Sequence, residues 1–155
     1  MRRAYLSLGS NVGDRRAHLA GAIPLIAHGD RVRLSKVYET EPWGGVTQEN
    51  FWNMVVELET DASARALLER ARGAERAASR TRDVRWGPRT LDVDVLLVGE
   101  ETSDDPEILL PHPRLYERAF VLVPLRELAP ALVNDEQLAA GAGRVVELGT
   151  LESLR

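Results

Sequence analysis

Asp92 and Asp94 stand two residues apart in the stretch Arg85-Trp86-Gly87-Pro88-Arg89-Thr90-Leu91-Asp92-Val93-Asp94-Val95, whose last residues otherwise suit a buried strand. In an extended chain residues two apart share a face, so the two carboxylates project together, roughly 7 Å apart, while Leu91, Val93 and Val95 face the other way. Two such charges on an apolar strand repel and lose water, which is costly unless a cation sits with them. Two arrangements satisfy them. A hard divalent ion fits, because Mg²⁺ takes one or two protein carboxylates and completes its shell with water and phosphate oxygens. Pairing with neighbouring arginines fits as well. Arg80, Arg82, Arg85 and Arg89 crowd the segment that leads into this strand, and one-to-one pairing with two aspartates leaves positive charge over. A polyphosphate bridged to the aspartates by Mg²⁺ would consume that surplus, since phosphoryl transfer depends mainly on positioning and charge neutralisation. The alternative is a solvated basic helix end that complements the helix dipole.

Further residues suit a planar, polar ligand. Trp86 lies between arginines beside Gly87, and Trp43, Phe51 and Asn53 form a second group around the loop from Thr40 to Glu49. Aromatic faces stack on planar rings, and an asparagine offers a donor and an acceptor to an amide-like edge. Each aromatic taken singly also suits ordinary packing. His112 sits between Pro111 and Pro113, followed by Arg118 and Phe120 at a distance that returns them to the same cleft. Such a histidine serves phosphate, proton transfer or a capping hydrogen bond. Gly9-Ser10-Asn11-x-Gly13 reads equally well as an anion cradle at a helix start and as a tight strand-to-helix turn.

Elements that would position these residues follow from periodicity. Ala4 to Leu8 reads as a strand, and Arg16 to His28 as a helix capped by Asp14, closed by Gly29 and apolar at Leu19, Ala22, Ile23 and Ile26. Val32, Leu34, Val37 and Tyr38 suggest a second strand, and Phe51 to Leu58 a third. Asp61 or Ser63 caps a second helix that runs through Arg82 with Ala64, Leu67, Leu68, Ala71, Ala74 and Ala78 on one side. Thr90 to Val98 is the fourth strand. The order β, α, β, β, α, β is that of a ferredoxin-like α+β sandwich. Beyond it lies a C-terminal extension in which Ile108 to Leu110 suggests a short strand, Arg118 to Leu128 a helix and Val145 to Leu148 a return to the sheet. A single domain over residues 1–155 is expected, with no repeat or linker dividing it.

Composition narrows the function classes. The chain has 155 residues, a formal net charge of −4 and no cysteine, so thiolate metal sites and disulfides are excluded. Its net charge argues against a general nucleic-acid binder, and there is no RNP pattern of an RNA-binding sandwich. No apolar run approaches the ~20 residues needed to span a bilayer. A cytoplasmic protein without membrane or nucleic-acid partners is expected. Lys36 is the only lysine, so no P-loop lysine exists, and phosphate would be gripped by guanidinium forks.

In combination these motifs resemble the 6-hydroxymethyl-7,8-dihydropterin pyrophosphokinase family of folate biosynthesis. The resemblance is carried by Gly9-Ser10-Asn11, Tyr38-x-Thr40-x-Pro42-x-Gly44, Phe51-x-Asn53, Glu75 before Arg80-x-Arg82, Arg85 to Asp94, and Pro111-His112-Pro113 through Phe120, in order from about Ala4 to Pro130. It implies transfer of the pyrophosphoryl group of ATP to the pterin's hydroxymethyl oxygen with release of AMP, on a ferredoxin-like fold. It further implies that Asp92 and Asp94 hold two Mg²⁺ ions bridging the ATP phosphates and the acceptor hydroxyl. By the same resemblance Arg80 and Arg89 brace the triphosphate, and Arg82, His112 and Arg118 also contact ATP, with Glu75 near its ribose or base end. Arg85 and Trp86, also on the ATP side, belong to a closing loop. Phe51 and Phe120 sandwich the pterin, Thr40 and Asn53 read its edge, and Pro42 and Trp43 form its wall. Phe51 stands where relatives carry tyrosine, which leaves stacking without a hydroxyl contact. The segment Asp83-Val84-Arg85 is shorter and more acidic than in some members. The competing function class is a non-catalytic ligand-binding or regulatory domain, because this fold hosts many functions. A monomer acting on the two small molecules is expected.

Overall fold

The computed structural model describes residues 1–41, 50–79 and 90–154. Strand β1 (Arg2–Ser10) leads through a turn at Gly13 into helix α1 (Arg15–Ala27), whose N-cap Asp14 accepts a hydrogen bond from the Ala17 amide at 3.0 Å. Strands β2 (Arg31–Leu34), β3 (Val37–Thr40) and β4 (Phe51–Thr60) follow, then helix α2 (Ala64–Ser79) and strand β5 (Asp92–Val98). Helices α3 (Ala119–Leu128) and α4 (Asp135–Ala140) and strand β6 (Val145–Gly149) complete the chain, with short 3₁₀ turns at Pro130–Leu132 and Leu151–Ser153.

All strand pairings are antiparallel, in the order β5-β1-β4-β3-β6, with β2 alongside β4. Merging β2 and β3 into one interrupted strand gives the βαββαβ order of the ferredoxin-like sandwich, with β6 added at the β3 edge. The expected second strand is broken because Ser35 places its hydroxyl where a ladder partner would sit, accepting the Val55 amide at 2.9 Å. The cap of α2 is Ser63, whose Oγ accepts the Ala66 amide, whereas Asp61 is exposed and pairs with the N-terminal ammonium. This helix is described only to Ser79, so its expected continuation through Arg82 lies outside the described residues. Ile108 to Leu110 forms a single bridge between Leu110 and Ser103 instead of a strand.

Alternation along the three central strands divides the side chains between two cores. Ala4, Leu6 and Leu8 of β1, Met54, Val56 and Leu58 of β4, and Val93 and Val95 of β5 pack against α1 and α2. Tyr5, Val55 and Leu96 turn to the opposite face and pack against Val121, Leu122, Leu125 and Leu128 of α3. A bulge between Tyr5 and Leu6 on the β5 pairing lets Leu96 and Leu97 both serve this second core before Val98 returns to the first.

The C-terminal half of α3 is docked by polar contacts as well as by leucines. The Tyr38 hydroxyl donates to Glu127 at 2.7 Å, and Arg33 reaches the Leu128 carbonyl. Buried Glu57 accepts from the Tyr5 hydroxyl at 2.8 Å and pairs with Arg33 at 3.2 Å. Burial and then the Glu57 carboxylate push the Tyr5 phenol up to about 12, and Tyr38 is raised likewise by burial and Glu127. Both phenols therefore stay protonated donors at neutral pH.

Candidate active site

The face that α3 covers carries, from one end to the other, Tyr5, Ser7 and Gly9 on β1, Glu57, Val55, Asn53 and Phe51 on β4, and Leu96, Asp94 and Asp92 on β5. Helix α3 seals the end at Tyr5, Val55 and Leu96. Among the described residues the other end forms a cavity of about 160 Å³ with Ser7 and Gly9 on its floor and Asp92, Asp94, Asn53, Thr40, Phe51, Arg118 and Phe120 around it. Its position follows from where the helix begins: Ala119 starts α3, so only its first turn, with Phe120, overhangs this end of the sheet.

Register sets the order of groups across the floor. Gly9 lies opposite Asn53 on one side and Asp92 on the other, and Ser7 lies opposite Val55 and Asp94. Asp92 and Asp94 share the cavity face as their spacing predicts, Asp92 half-buried and Asp94 about half exposed. Asn53 is buried, and its Nδ2 donates to the Thr40 hydroxyl at 2.8 Å. That bond orients the amide across the β3–β4 pair with its Oδ1 toward Gly9. Phe51 and Phe120 both line the cavity, and the Arg118 guanidinium stacks on the Phe120 ring at 5.4 Å.

The outer edge of β5 is held on both flanks of the aspartates. Glu75 of α2 accepts the Val93 amide at 3.0 Å, from the residue between the two carboxylates. Further along, the His112 amide donates to the Leu96 carbonyl at 3.0 Å. The His112 ring accepts the Arg114 amide on Nδ1 at 3.2 Å, which leaves Nε2 as the protonated nitrogen of the neutral ring, 3.9 Å from Asp94. Burial holds this imidazole below the usual histidine range, with Arg118 and Arg114 acting in the same sense and Asp94 opposing them. At neutral pH the ring is neutral and lies near Asp94 without a hydrogen bond to it, and it also caps the turn after Pro113.

Asp92, Asp94, Thr40, Phe51, Asn53, Arg118 and Phe120 thus come together at one cavity, with His112 behind Asp94 and Glu75 behind Val93. Pro42, Trp43, Arg80, Arg82, Arg85, Trp86 and Arg89 lie outside the described residues. Ser7 and Glu41 line the cavity without having been singled out. The signal for Ser7 was a small hydroxyl between Leu6 and Leu8 of a central strand, sharing a face with Gly9. Glu41 carried no comparable mark.

Among the described residues no group of three or more histidine, aspartate or glutamate side chains converges as a metal site. Two carboxylates beside a cavity fit Mg²⁺ all the same, since that ion keeps several waters and takes further oxygens from phosphate. A structural zinc-type site would demand a closed protein cage of four ligands. The donor set therefore fits a hard ion that arrives with an anionic substrate.

Comparison with known proteins agrees with this geometry. The family model for 7,8-dihydro-6-hydroxymethylpterin-pyrophosphokinase (HPPK) matches residues 5–130. A Bacillus subtilis protein named 2-amino-4-hydroxy-6-hydroxymethyldihydropteridine pyrophosphokinase is 46% identical over 85% of this chain and 81% of its own length. A protein of the same name from Methylorubrum extorquens is 46% identical over 86% of each chain, and one from Pseudomonas aeruginosa is 40% identical over 85% of this chain and 83% of its own. No helix among the described residues is long and apolar enough to cross a membrane. With its aspartate pair, amide and aromatic walls gathered on one face of the sheet, the chain belongs to the 7,8-dihydro-6-hydroxymethylpterin-pyrophosphokinase family.

Proposed function

We propose that the chain catalyses Mg²⁺-dependent transfer of a pyrophosphoryl group from ATP to the hydroxymethyl oxygen of 6-hydroxymethyl-7,8-dihydropterin, releasing AMP, as a cytoplasmic monomer in folate biosynthesis. One observation carries this reading: the paired aspartates open onto the same cavity as Asn53, Phe51 and Phe120. A planar heterocycle held by the amide and the rings places its substituent toward the carboxylates.

In this reading the pterin slides between Phe51 and Phe120, and Asn53, oriented by Thr40, bonds its amide-like edge. Pro42 and Trp43 close the wall. Asp92 and Asp94 would hold the two Mg²⁺ ions, which when bound would neutralise charge on the ATP phosphates and the acceptor oxygen. The side chains around them set geometry. Arg118, stacked on Phe120 beside the cavity, and His112, whose Nε2 is 3.9 Å from Asp94, are assigned to the ATP phosphates, where a guanidinium and an imidazole N–H can both donate. Arg80 and Arg89 are assigned to bracing the triphosphate in the transition state, and Arg82, Arg85 and Trp86 to binding ATP. Glu75 is assigned to the nucleotide end of the site as well as to the β5 edge. With the reactants aligned, the hydroxyl oxygen attacks the β-phosphorus in line as the bond from that phosphorus to the α,β-bridging oxygen breaks, AMP leaves with that oxygen and the hydroxyl proton passes to solvent; positioning supplies the gain in effective concentration.

The test is AMP formation from ATP, Mg²⁺ and 6-hydroxymethyl-7,8-dihydropterin, with the pyrophosphorylated pterin identified by mass. Product that depends on all three supports the reading. Tight pterin binding without AMP release would indicate a non-catalytic binding domain on the same fold.

A further inference from the structure

The structure after Pro130 lies beyond the residues matched by the family model, yet it touches both walls of the cavity. Helix α4 ends at Gly141, and the next residue lies beside the start of α3 as a parallel bridge to Arg118. The Ala142 amide donates to the Glu117 carbonyl at 2.9 Å, and its carbonyl accepts the Ala119 amide at 2.9 Å. Helix α3 has no side-chain cap, because Arg118 occupies the N-cap position without a hydrogen bond of that kind. The Ala142 carbonyl takes over part of that duty. The chain then enters β6, where Val145 pairs with Thr40, Val146 with Glu39 and Glu147 with Tyr38. One short segment thus joins the helix turn carrying Phe120 to the strand carrying Thr40.

Gly141 shows how closely this segment is fitted. Its φ of −64° and ψ of 130° are open to any residue, so backbone freedom does not explain a glycine there. Close approach does. A Cβ on Gly141 would lie 2.8 Å from Cδ1 of Leu122 and 3.3 Å from both the backbone nitrogen and the Cα of Ala119. Leu122, fully buried in the second core, has to shift its side-chain tip against its neighbours. The Ala119 backbone, between Arg118 and Phe120, must itself move by a few tenths of an ångström.

We propose that Gly141 and Ala142 are positioning residues for the pterin substrate, setting the separation between Phe120 and the Thr40–Asn53 wall. This inference rests on the proposed pterin occupancy of the cavity and adds the element that fixes its width. The polar contacts of Glu127 and Leu128 anchor the far end of α3, so its near end is held in place by this segment. Its other end is tied down through β6 and by Leu151, which is buried in the first core. A displaced first turn changes the stacking gap at Phe120 directly, because that ring is packed against the second core. Arg118, with its long side chain, can re-aim. The effect therefore falls on pterin more than on ATP.

The experiment compares Gly141→Ala, Phe120→Ala and Gly141→Ala/Leu122→Val in the full chain, by steady-state kinetics in both substrates, fluorescence titration with 6-hydroxymethylpterin and thermal melting. Gly141→Ala is expected to raise KM for the pterin and the Kd of 6-hydroxymethylpterin on the order of tenfold with KM for ATP little changed, while the crowding of buried Leu122 lowers the melting temperature by roughly a few degrees. Leu122→Val removes the Cδ1 contact but not the pressure on Ala119, so the double variant keeps the pterin defect. Wild-type pterin binding in Gly141→Ala, alongside a defect in Phe120→Ala, would overturn the positioning role. Equal losses for both substrates would overturn it too, by showing general damage. Recovery of pterin binding in the double variant would trace the defect to Leu122 packing and sink the proposal in the same way. Unaltered pterin binding in Phe120→Ala would instead remove the pterin reading of the cavity, and with it this inference.

Discussion

A Cβ atom on Gly9 would stand 2.8 Å from Oδ1 of Asn53, closer than real contacts allow. Gly9 is required by its neighbour across the β1–β4 pair, and the hydrogen bond to Thr40 keeps that neighbour from yielding. Gly9→Ala should therefore displace the Asn53 amide and weaken pterin binding by roughly tenfold, the worth of about one neutral hydrogen bond. Titration with 6-hydroxymethylpterin checks this. An unchanged Kd would show that the amide does not read the pterin.

Stacking should be separable from the reaction chemistry. Phe120→Ala removes one wall of the slot and is expected to cost about 1–3 kcal/mol of pterin affinity, by analogy with bases stacked on aromatic side chains. At saturating pterin the turnover falls less than affinity does. Competitive titration together with kcat at high substrate measures both.

Glu75 tests the edge of the aspartate strand. Gln accepts the Val93 amide as Glu does, whereas Ala leaves that amide to solvent. Amide exchange at Val93 should be accelerated in Glu75→Ala and close to wild type in Glu75→Gln, with the Mg²⁺ concentration needed for half-maximal turnover rising only in the alanine variant. Hydrogen exchange resolved at Val93 gives the first readout and a Mg²⁺ titration the second.

The helical layer offers a pH prediction. Arg70 of α2 donates to the Ile26 and Ala27 carbonyls at the end of α1 and to Asp30 at 2.7 Å. Burial alone would raise the Asp30 carboxyl, but hydrogen bonds from Arg70 and Thr60 and the Arg70 charge outweigh it and hold it below the usual range. A depressed folded pKa contributes stability above the unfolded value of about 3.9 and loses it as pH falls through the folded value. Asp30→Asn should thus be less stable than wild type near neutrality, and the gap should narrow as pH falls below the unfolded carboxylate value and through the lower folded one. Urea unfolding across that range measures the gap. Arg70→Met, which also strips the α1 carbonyls, should cost about 2 kcal/mol or more at pH 7.

Much of this site was legible because strand alternation is a strong constraint. Asp92 and Asp94 had to share a face, and Phe51 and Asn53 had to share another stretch of the same sheet, whatever the details of packing. The two helices were legible from their apolar stripes, with Ser63 and Asp61 as rival caps that only tertiary contacts separate. Non-local relations were not legible. That Glu75 would bond the Val93 amide, or that Gly141 would press on Ala119, depends on how elements far apart in sequence dock. Ser35 broke the second strand through a side-chain hydrogen bond that no periodicity reports.

Asp92 and Asp94 are expected to seat divalent metal together with the nucleotide. The most direct measurement is Mn²⁺ binding by paramagnetic resonance in the presence of a non-hydrolysable ATP analogue, alongside AMP formation, for wild type, Asp92→Asn and Asp94→Asn. Metal bound only with nucleotide in the wild type, lost in either variant together with a fall in turnover on the order of a thousandfold, is the predicted result. Undiminished metal binding and turnover in either amide variant would contradict it.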